Sequence, residues 1–248
     1  MDNILNISEN QFIAYKIHQT KKIFPTIVFL HGLMSSMESS KATFLHQWCE
    51  EYDLPFIRFD NFGSGSSSGL FSDQTISTWL DGAESVIKNL CPNGVILVGS
   101  SMGGWVSLLA AMRNPELVKG LVGIAPAPDF TEDMWNSLSD NDQKLMVSNG
   151  SITFTAGPYS YNISNNLIKN GKTHLLLQQD RLPISCKVRL IHGMEDKEVS
   201  YHKSLKLISK ISSDDALCTL VKTGTHSLSR PEDLNLIAQN LISVIESL

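Results

Sequence analysis

The feature that most restricts the fold of this chain is the alternation of short apolar runs with segments of helical periodicity. The runs at residues 26–32 (TIVFLHG), 94–100 (GVILVGS) and 186–193 (CKVRLIHG) are nearly continuous rather than alternating. Such runs are typical of strands that are buried on both faces. Amphipathic stretches such as residues 75–90 separate them. This alternation predicts an α/β fold with a mostly parallel central sheet and helices on both faces.

One long segment interrupts this rhythm. Residues 129–183 are polar, irregular and rich in Asn and Ser. A segment of this length exceeds a simple connection between a helix and a strand. We predict two short helices, a hairpin around the sequence AGPYS and a further helix, which together form a lid. The chain then consists of a core, residues 1–128 and 184–248, and a lid insertion, residues 129–183.

Composition excludes several classes of function. The formal net charge is −5 and the isoelectric point is about 5.8, so the sequence has no electrostatic footprint for nucleic acid. The four cysteines do not have the spacing of a zinc site, and we expect neither a metal nor an organic cofactor. No apolar run approaches the ~20 residues that span a bilayer, so we expect no integral membrane segment.

The N-terminal sequence, MDNILNISEN, lacks the basic and apolar regions of a signal peptide. It is acidic at its second residue and contains no arginine, unlike a transit peptide. These features predict a cytoplasmic protein. The oligomeric state is left open by the sequence.

The stretch VILVGSSMGGW, residues 95–105, has the pattern of a strand, a sharp turn and a helix. A G-x-S-x-G pentapeptide in this context presents its serine as a nucleophile at the top of the turn. The residues two before and two after that serine are pressed together, so both need to be glycine. Gly99 and Gly103 satisfy this requirement for Ser101, whereas bulkier residues stand at the same spacing from Ser100. We therefore predict Ser101 as the nucleophile.

A serine hydroxyl needs a neighbouring base to become a nucleophile. Of the seven histidines, His226 in GTHS is the one that follows the last predicted strand and precedes the last predicted helix. In sites with this kind of turn, the chain order is serine, acid, histidine. The sequence HGMEDKEV offers Glu195, Asp196 and Glu198 as the acid. We choose Asp196, which would hold His226 in one tautomer, and Glu195 is its competitor.

Two backbone N–H groups are needed to stabilise the oxyanion of the reaction. We predict one from Met102, at the start of a helix, where the helix dipole also favours negative charge. We predict the other from Leu33, which follows Gly32 in FLHGLMSS. His31 is expected to brace this loop, and Gly104 to allow the helix and a strand to pack closely.

The lid insertion is expected to cover Ser101. It follows a strand whose carboxyl end should border the site, and ligands in open α/β sheets bind beside such ends. Met134, Trp135, Tyr159 and Tyr161 are candidates for an apolar wall that binds an acyl chain. For each of them, simple packing of the lid onto the core is the competing interpretation.

The motifs HGLMSS, RFDNFGSGSS, GSSMGGW, HGMEDKEV and GTHS follow one another along nearly the full chain. In this order they resemble the motifs of the α/β-hydrolase superfamily. GSSMGGW together with LIHGMEDKEVSYH resembles more closely a branch of mitochondrial α/β-hydrolase-domain esterases and their bacterial relatives. Members of that branch act as acyl-protein (palmitoyl) thioesterases and acyl-glucuronide hydrolases. The resemblance implies a triad of Ser101, Asp196 and His226 and a lid formed by the insertion.

We therefore expect a serine hydrolase that cleaves carboxylic esters or thioesters through an acyl-enzyme. The expected substrate is a small-molecule ester or thioester, or an acylated protein. The alternatives are C–C bond hydrolysis or acyl transfer on the same fold, and a catalytically silent binding protein. A fluorophosphonate probe distinguishes an active serine from a silent site.

Overall fold

The computed structural model describes residues 2–156 and 159–246, without the side chains of residues 155, 156 and 159. The strands are β1 (Asn3–Ser8), β2 (Gln11–His18), β3 (Thr26–Leu30), β4 (Phe56–Phe59), β5 (Val95–Ser100), β6 (Val118–Ile124), β7 (Ser151–Ala156), β8 (Tyr159–Ser164), β9 (Lys187–Gly193) and β10 (Ala216–Val221). The helices are α1 (Ser40–Glu51), α2 (Ile76–Leu90), α3 (Met102–Arg113), α4 (Phe130–Ser137), α5 (Asp140–Asn149), α6 (Asn165–Gly171), α7 (His202–Ile208) and α8 (Pro231–Ile245).

Within the described residues, eight strands form one sheet in the order β1-β2-β4-β3-β5-β6-β9-β10. The six strands from β4 to β10 in this order are parallel to one another, so the prediction of a mostly parallel sheet is confirmed. β2 is antiparallel to β4, and β1 is antiparallel to β2. The sequence does not predict β1, because NILNIS mixes polar and apolar residues without a clear pattern, and the segment forms a strand through pairing with β2.

Helices cover both faces of the sheet, so the central strand β5 is buried on both sides. Successive side chains of a strand point to opposite faces, and those of β5 are buried on both. Leu97 packs in the cluster that contains Trp79 of α2 and Trp105 of α3. Val98 packs in the cluster that contains Leu45 of α1. Burial on both faces explains why the strand sequences are nearly continuous apolar runs.

Between β6 and β9 the chain forms α4, α5, the β7–β8 hairpin and α6, which are the element types expected for this segment. The buried Asp129 joins the two ends of the segment. Its carboxylate accepts hydrogen bonds from the backbone N–H groups of Leu176 (2.8 Å) and Leu177 (2.9 Å). Lys203 of α7 donates a hydrogen bond from Nζ to the carbonyl of Pro128 at 2.7 Å. These contacts attach the segment next to the carboxyl end of β6.

Three features of the described residues bear on membrane insertion, metal binding and disulfide formation. None of the helices within them is long and apolar enough to cross a bilayer. They contain no group of three or more His, Cys, Asp or Glu side chains that could hold a metal ion. Their cysteines are free thiols, of which Cys49 and Cys91 are buried.

Candidate active site

The turn between β5 and α3 holds Ser101 in a strained backbone conformation. Its φ of 54° and ψ of −118° are rarely adopted by a residue with a side chain. A Cβ atom at Gly99 would collide with the carbonyl oxygen of Gly103, and a Cβ atom at Gly103 would collide with that of Leu30. The turn therefore requires glycine at both positions. Ser100, in contrast, is the last residue of β5 and pairs with β6.

Two further glycines allow close approach at this turn. A Cβ atom at Gly104 would lie 2.8 Å from the Cβ atom of Pro126, so glycine lets α3 approach the segment after β6. A Cβ atom at Gly32 would lie 3.3 Å from the Cβ atom of Ser101. The loop after β3 therefore lies directly beside Ser101.

His226 lies in the loop between β10 and α8 and connects Ser101 with Asp196. Its Nε2 atom is 2.9 Å from Ser101 Oγ, and its Nδ1 atom is 2.7 Å from Asp196 Oδ2. Because a carboxylate only accepts hydrogen bonds, these partners assign the proton to Nδ1. Nε2 is then free to accept the hydroxyl proton of Ser101. The three side chains form one continuous chain of hydrogen bonds.

The Asp196 side chain is completely buried, and both of its oxygens accept hydrogen bonds. Oδ1 accepts from the backbone N–H groups of Glu198 (2.9 Å) and Val199 (2.8 Å). Oδ2 accepts from His226 and, at 3.1 Å, from Nε2 of His192. Burial alone would raise the pKa of Asp196, but the hydrogen bonds from the two histidines and the Val199 amide hold the pKa well below its ordinary value. Asp196 is therefore charged at neutral pH.

The two competing acids lie elsewhere in the same loop. Glu195 is exposed, and its backbone N–H donates to the carbonyl of Gly224 at 2.9 Å. Glu198 is also exposed, and its Oε2 atom is 3.8 Å from His226 Nε2, beyond hydrogen-bond distance. Of the three candidates, Asp196 is the one whose carboxylate accepts a hydrogen bond from His226.

Leu33 and Met102 line the cavity that contains Ser101. Met102 is the first residue of α3, and the first N–H groups of a helix have no partner within it. Leu33 follows Gly32 in the loop beside Ser101. Both backbone N–H groups are therefore candidates for stabilising negative charge next to the serine.

His31 and Asp60 hold the loop that contains Leu33. His31 is buried, its Nδ1 atom is 2.8 Å from the carbonyl oxygen of Gly32, and its Nε2 atom accepts the backbone N–H of Asn61 at 3.0 Å. Burial lowers the pKa of His31, which favours the neutral ring that these partners need. The buried Asp60 carboxylate accepts the N–H of Met37 at 2.7 Å. The sequence identifies the bracing histidine but not Asp60.

A cavity of about 810 Å³ contains Ser101 and His226. This volume is typical of sites for small molecules, which measure ~300–1,000 Å³. Its lining is mixed. The apolar and aromatic residues include Leu33, Met102, Phe130, Met134, Phe154 and Tyr161, and the charged residues are Lys41, Asp133, Lys197 and Glu198. The serine thus opens into a space that offers apolar contacts to one group and polar contacts to another.

The four candidates for an apolar wall differ in position. Met134 and Tyr161 line the cavity, together with Phe154, which the sequence does not single out. Trp135 is not among the described residues that line it, and Lys172 Nζ lies 5.5 Å from its ring centroid. Consecutive residues of a helix point about 100° apart, so Met134 and Trp135 of α4 face different surroundings. The side chain of Tyr159 lies outside the described residues.

His192 is a member of this network that the sequence does not identify. It is completely buried in β9, and its Nε2 atom contacts Asp196. The one signal in the sequence is an HG pair at the end of a strand, which His31 shares. That pair alone does not distinguish a contact with Asp196 from ordinary packing.

Comparison with known proteins identifies a relative that aligns with almost the whole chain. Palmitoyl-protein thioesterase ABHD10, mitochondrial, from Mus musculus is 35% identical, and the alignment covers 99% of this chain and 83% of the relative. Its name overturns the expectation of a cytoplasmic protein, as do the names of its rat and human counterparts. That expectation rested on the first ten residues, whereas a targeting segment is separate from the folded domain and is removed from the mature protein.

Solved structures and a family model agree with this comparison. Alpha/beta hydrolase domain-containing protein 10 from mouse has a TM-score of 0.91 and 34% identity, covering 100% of this chain and 99% of its own. A putative hydrolase from Agrobacterium vitis S4 has a TM-score of 0.92 and 32% identity, covering 99% of this chain and 98% of its own. The family model described as serine aminopeptidase, S33, matches residues 21–182. With this sheet order and these relatives, the chain belongs to the α/β-hydrolase family and is a hydrolytic enzyme.

Proposed function

We propose that this enzyme hydrolyses acyl esters or thioesters, with Ser101 as nucleophile, His226 as general base and Asp196 as the residue that orients the base. The observation that carries this proposal is the chain of hydrogen bonds from Ser101 Oγ to His226 (2.9 Å) and from His226 to Asp196 (2.7 Å). It pairs a hydroxyl with a base and the base with a charged carboxylate, as nucleophilic catalysis by serine requires.

In the acylation step, His226 Nε2 takes the proton of Ser101 Oγ while the oxygen attacks the acyl carbon. The carbonyl oxygen becomes an oxyanion, which the backbone N–H groups of Leu33 and Met102 stabilise. The imidazolium of His226 is stabilised by Asp196. When the tetrahedral intermediate collapses, the bond to the leaving group breaks, and the alcohol or thiol leaves with the proton from His226. An acyl-serine ester remains.

In the deacylation step, a water molecule takes the place of the leaving group. His226 accepts a proton from it, and the hydroxide oxygen attacks the acyl-serine carbon. Collapse of the second intermediate breaks the bond to Ser101 Oγ, which regains a proton from His226. The products are the free acid and the original enzyme, so the cycle needs no redox partner.

We propose a substrate with an apolar acyl chain, carried by a small molecule or by a protein. The apolar and aromatic residues in the lining of the cavity beside Ser101 support this proposal. The name of the mouse relative, a palmitoyl-protein thioesterase, also supports it. In this proposal residues 129–183 act as a lid, because Met134, Phe154 and Tyr161 from this segment line the cavity.

A fluorophosphonate probe and a panel of acyl thioesters test the proposed function. We expect the probe to label the folded protein once, with the modification mapped by mass spectrometry to the peptide that contains Ser101. We expect release of free thiol from acetyl, octanoyl and palmitoyl thioesters in a colorimetric assay. Folded protein that is neither labelled nor hydrolyses any of these thioesters would contradict the proposal.

The cavity residues of the lid should select the acyl chain. We expect the double variant Met134→Ala/Phe154→Ala to lower kcat/KM for an octanoyl thioester over a hundredfold, with little effect on an acetyl thioester. Each buried CH₂ contributes ~0.8 kcal/mol, so lost contacts with four methylenes cost about 3 kcal/mol. The control is Leu145→Ala, which removes a side chain from the same segment that is 42% exposed on α5. Equal losses for both substrates would show that the lid does not select the chain.

A further inference from the structure

His192 occupies a position behind the proposed triad. Its side chain is completely buried, and both ring nitrogens have close partners. Nε2 lies 2.9 Å from the carbonyl oxygen of Val199 and 3.1 Å from Asp196 Oδ2, and Nδ1 lies 2.7 Å from Ser204 Oγ. Ser204 is also completely buried, so this second Ser–His pair does not face solvent or substrate.

The partners of His192 assign its protons. Both neighbours of Nε2, the Val199 carbonyl and the Asp196 carboxylate, can only accept hydrogen bonds, so Nε2 carries a proton. The Ser204 hydroxyl can donate to Nδ1. A neutral ring protonated at Nε2 therefore satisfies every partner, and its N–H is shared between the Val199 carbonyl and the carboxylate oxygen that binds His226.

Each oxygen of the Asp196 carboxylate therefore has two hydrogen-bond donors. Two backbone N–H groups, those of Glu198 and Val199, bind Oδ1. Two imidazole N–H groups, those of His226 and His192, bind Oδ2. The backbone contacts hold one oxygen, and without His192 the other oxygen would be held by His226 alone. The contact between Oδ2 and His226 is the one whose geometry Asp196 has to fix, so a second donor outside that pair is needed to hold Oδ2 independently.

We propose that His192 is a positioning residue for hydrolysis: its Nε2–H holds Asp196 Oδ2 in line with His226 Nδ1, so that His226 Nε2 stays aimed at Ser101 Oγ. This inference rests on the proposed function of the triad. Ser204 completes the arrangement, because its hydroxyl keeps the His192 ring in the tautomer that donates to Asp196.

The test compares substitutions of His192 that keep or remove a donor at the position of Nε2. His192→Phe fills a similar volume without any donor. His192→Gln places its side-chain N–H near the position of Nε2, whereas the shorter His192→Asn places its amide near Nδ1, out of reach of Asp196. If His192→Phe does not fold, the comparison of Gln with Asn tests the same contact with two polar side chains.

We expect His192→Phe and His192→Asn to lower kcat for an octanoyl thioester about a hundredfold with KM nearly unchanged, as for a small misplacement of a catalytic group. We expect His192→Gln to recover activity to within tenfold of the unsubstituted enzyme. The far-downfield proton resonance of the His226–Asp196 hydrogen bond should shift in the Phe and Asn variants and return in the Gln variant. A residue needed only for packing would change the melting temperature without moving this resonance.

Two results would overturn the inference. One is a kcat for folded His192→Phe or His192→Asn within twofold of the unsubstituted enzyme. The other is an equal loss in the Gln and Asn variants at matched melting temperatures, which would exclude the donor as the cause. Ser101→Ala separates this failure from failure of the proposed function. If Ser101→Ala is inactive and His192→Asn is fully active, the triad stands and only the role of His192 is wrong.

Discussion

Replacing Ser101 with alanine is expected to lower kcat for ester and thioester hydrolysis about a million-fold, the scale of loss when a serine nucleophile is removed from a triad. Ser101 Oγ is the atom hydrogen-bonded to His226 Nε2, at 2.9 Å, and its backbone is held at the top of the turn with φ of 54°. No other oxygen within the described residues shares a hydrogen bond with that nitrogen. The rate of thiol release, with fluorophosphonate labelling as a second readout, measures the effect.

The matched control is Ser100→Ala, which changes the adjacent serine. Ser100 ends β5 and is buried, and its spacing from the glycines does not allow the sharp turn. We expect this variant to keep most of its activity and its labelling. Equal losses in Ser101→Ala and Ser100→Ala would refute the assignment of the nucleophile from the glycine spacing.

Asp196→Asn is expected to lower kcat ~10⁴-fold, as in serine hydrolases in which this change leaves the geometry intact but selects the wrong histidine tautomer. The contacts of Asp196 explain why the same should happen here. Two backbone N–H groups, which cannot lose their protons, bind Oδ1, whereas one of the two donors at Oδ2 is His226, whose ring can change tautomer. The oxygen of asparagine is therefore expected on the side of Oδ1 and its NH₂ group at the position of Oδ2. The NH₂ group then faces His226 Nδ1 and favours the tautomer protonated at Nε2, which cannot accept a proton from Ser101.

The control for Asp196→Asn is Glu195→Gln, which neutralises the adjacent acid. Glu195 is exposed, and we expect kcat to stay within about tenfold of the unsubstituted enzyme, or roughly 1.4 kcal/mol of activation free energy. Steady-state kinetics with a water-soluble ester compares the two variants. A larger loss in Glu195→Gln than in Asp196→Asn would assign the orienting acid to Glu195.

Several features of this protein follow from the sequence because they depend on neighbouring residues. The buried strands can be recognised in the sequence as apolar runs, since a strand covered on both faces needs apolar residues at nearly every position. The turn around Ser101 is readable because Gly99 and Gly103 stand where any Cβ atom would collide with the backbone. The position of His226 after the last strand follows from the order of elements along the chain.

Other features were decided by tertiary contacts between residues distant in sequence. The choice of Asp196 over Glu195 as the hydrogen-bond partner of His226 depends on how the loop after β9 meets the loop after β10. The edge strand β1 exists because it pairs with β2. The contact of His192 with Asp196 forms inside the core, and the HG pair in the sequence does not predict it.

The difference between the features that the sequence predicts and those that it does not has one physical reason. Backbone sterics and the periodicity of burial act over a few residues, so they leave a pattern in the sequence that can be read directly. The direction in which a side chain points within a loop is set by packing against segments that lie far away along the chain. The sharp turn at Ser101 could therefore be predicted from the sequence around it, whereas the contact of His192 with Asp196 and the position of Trp135 outside the cavity became visible only in the folded structure.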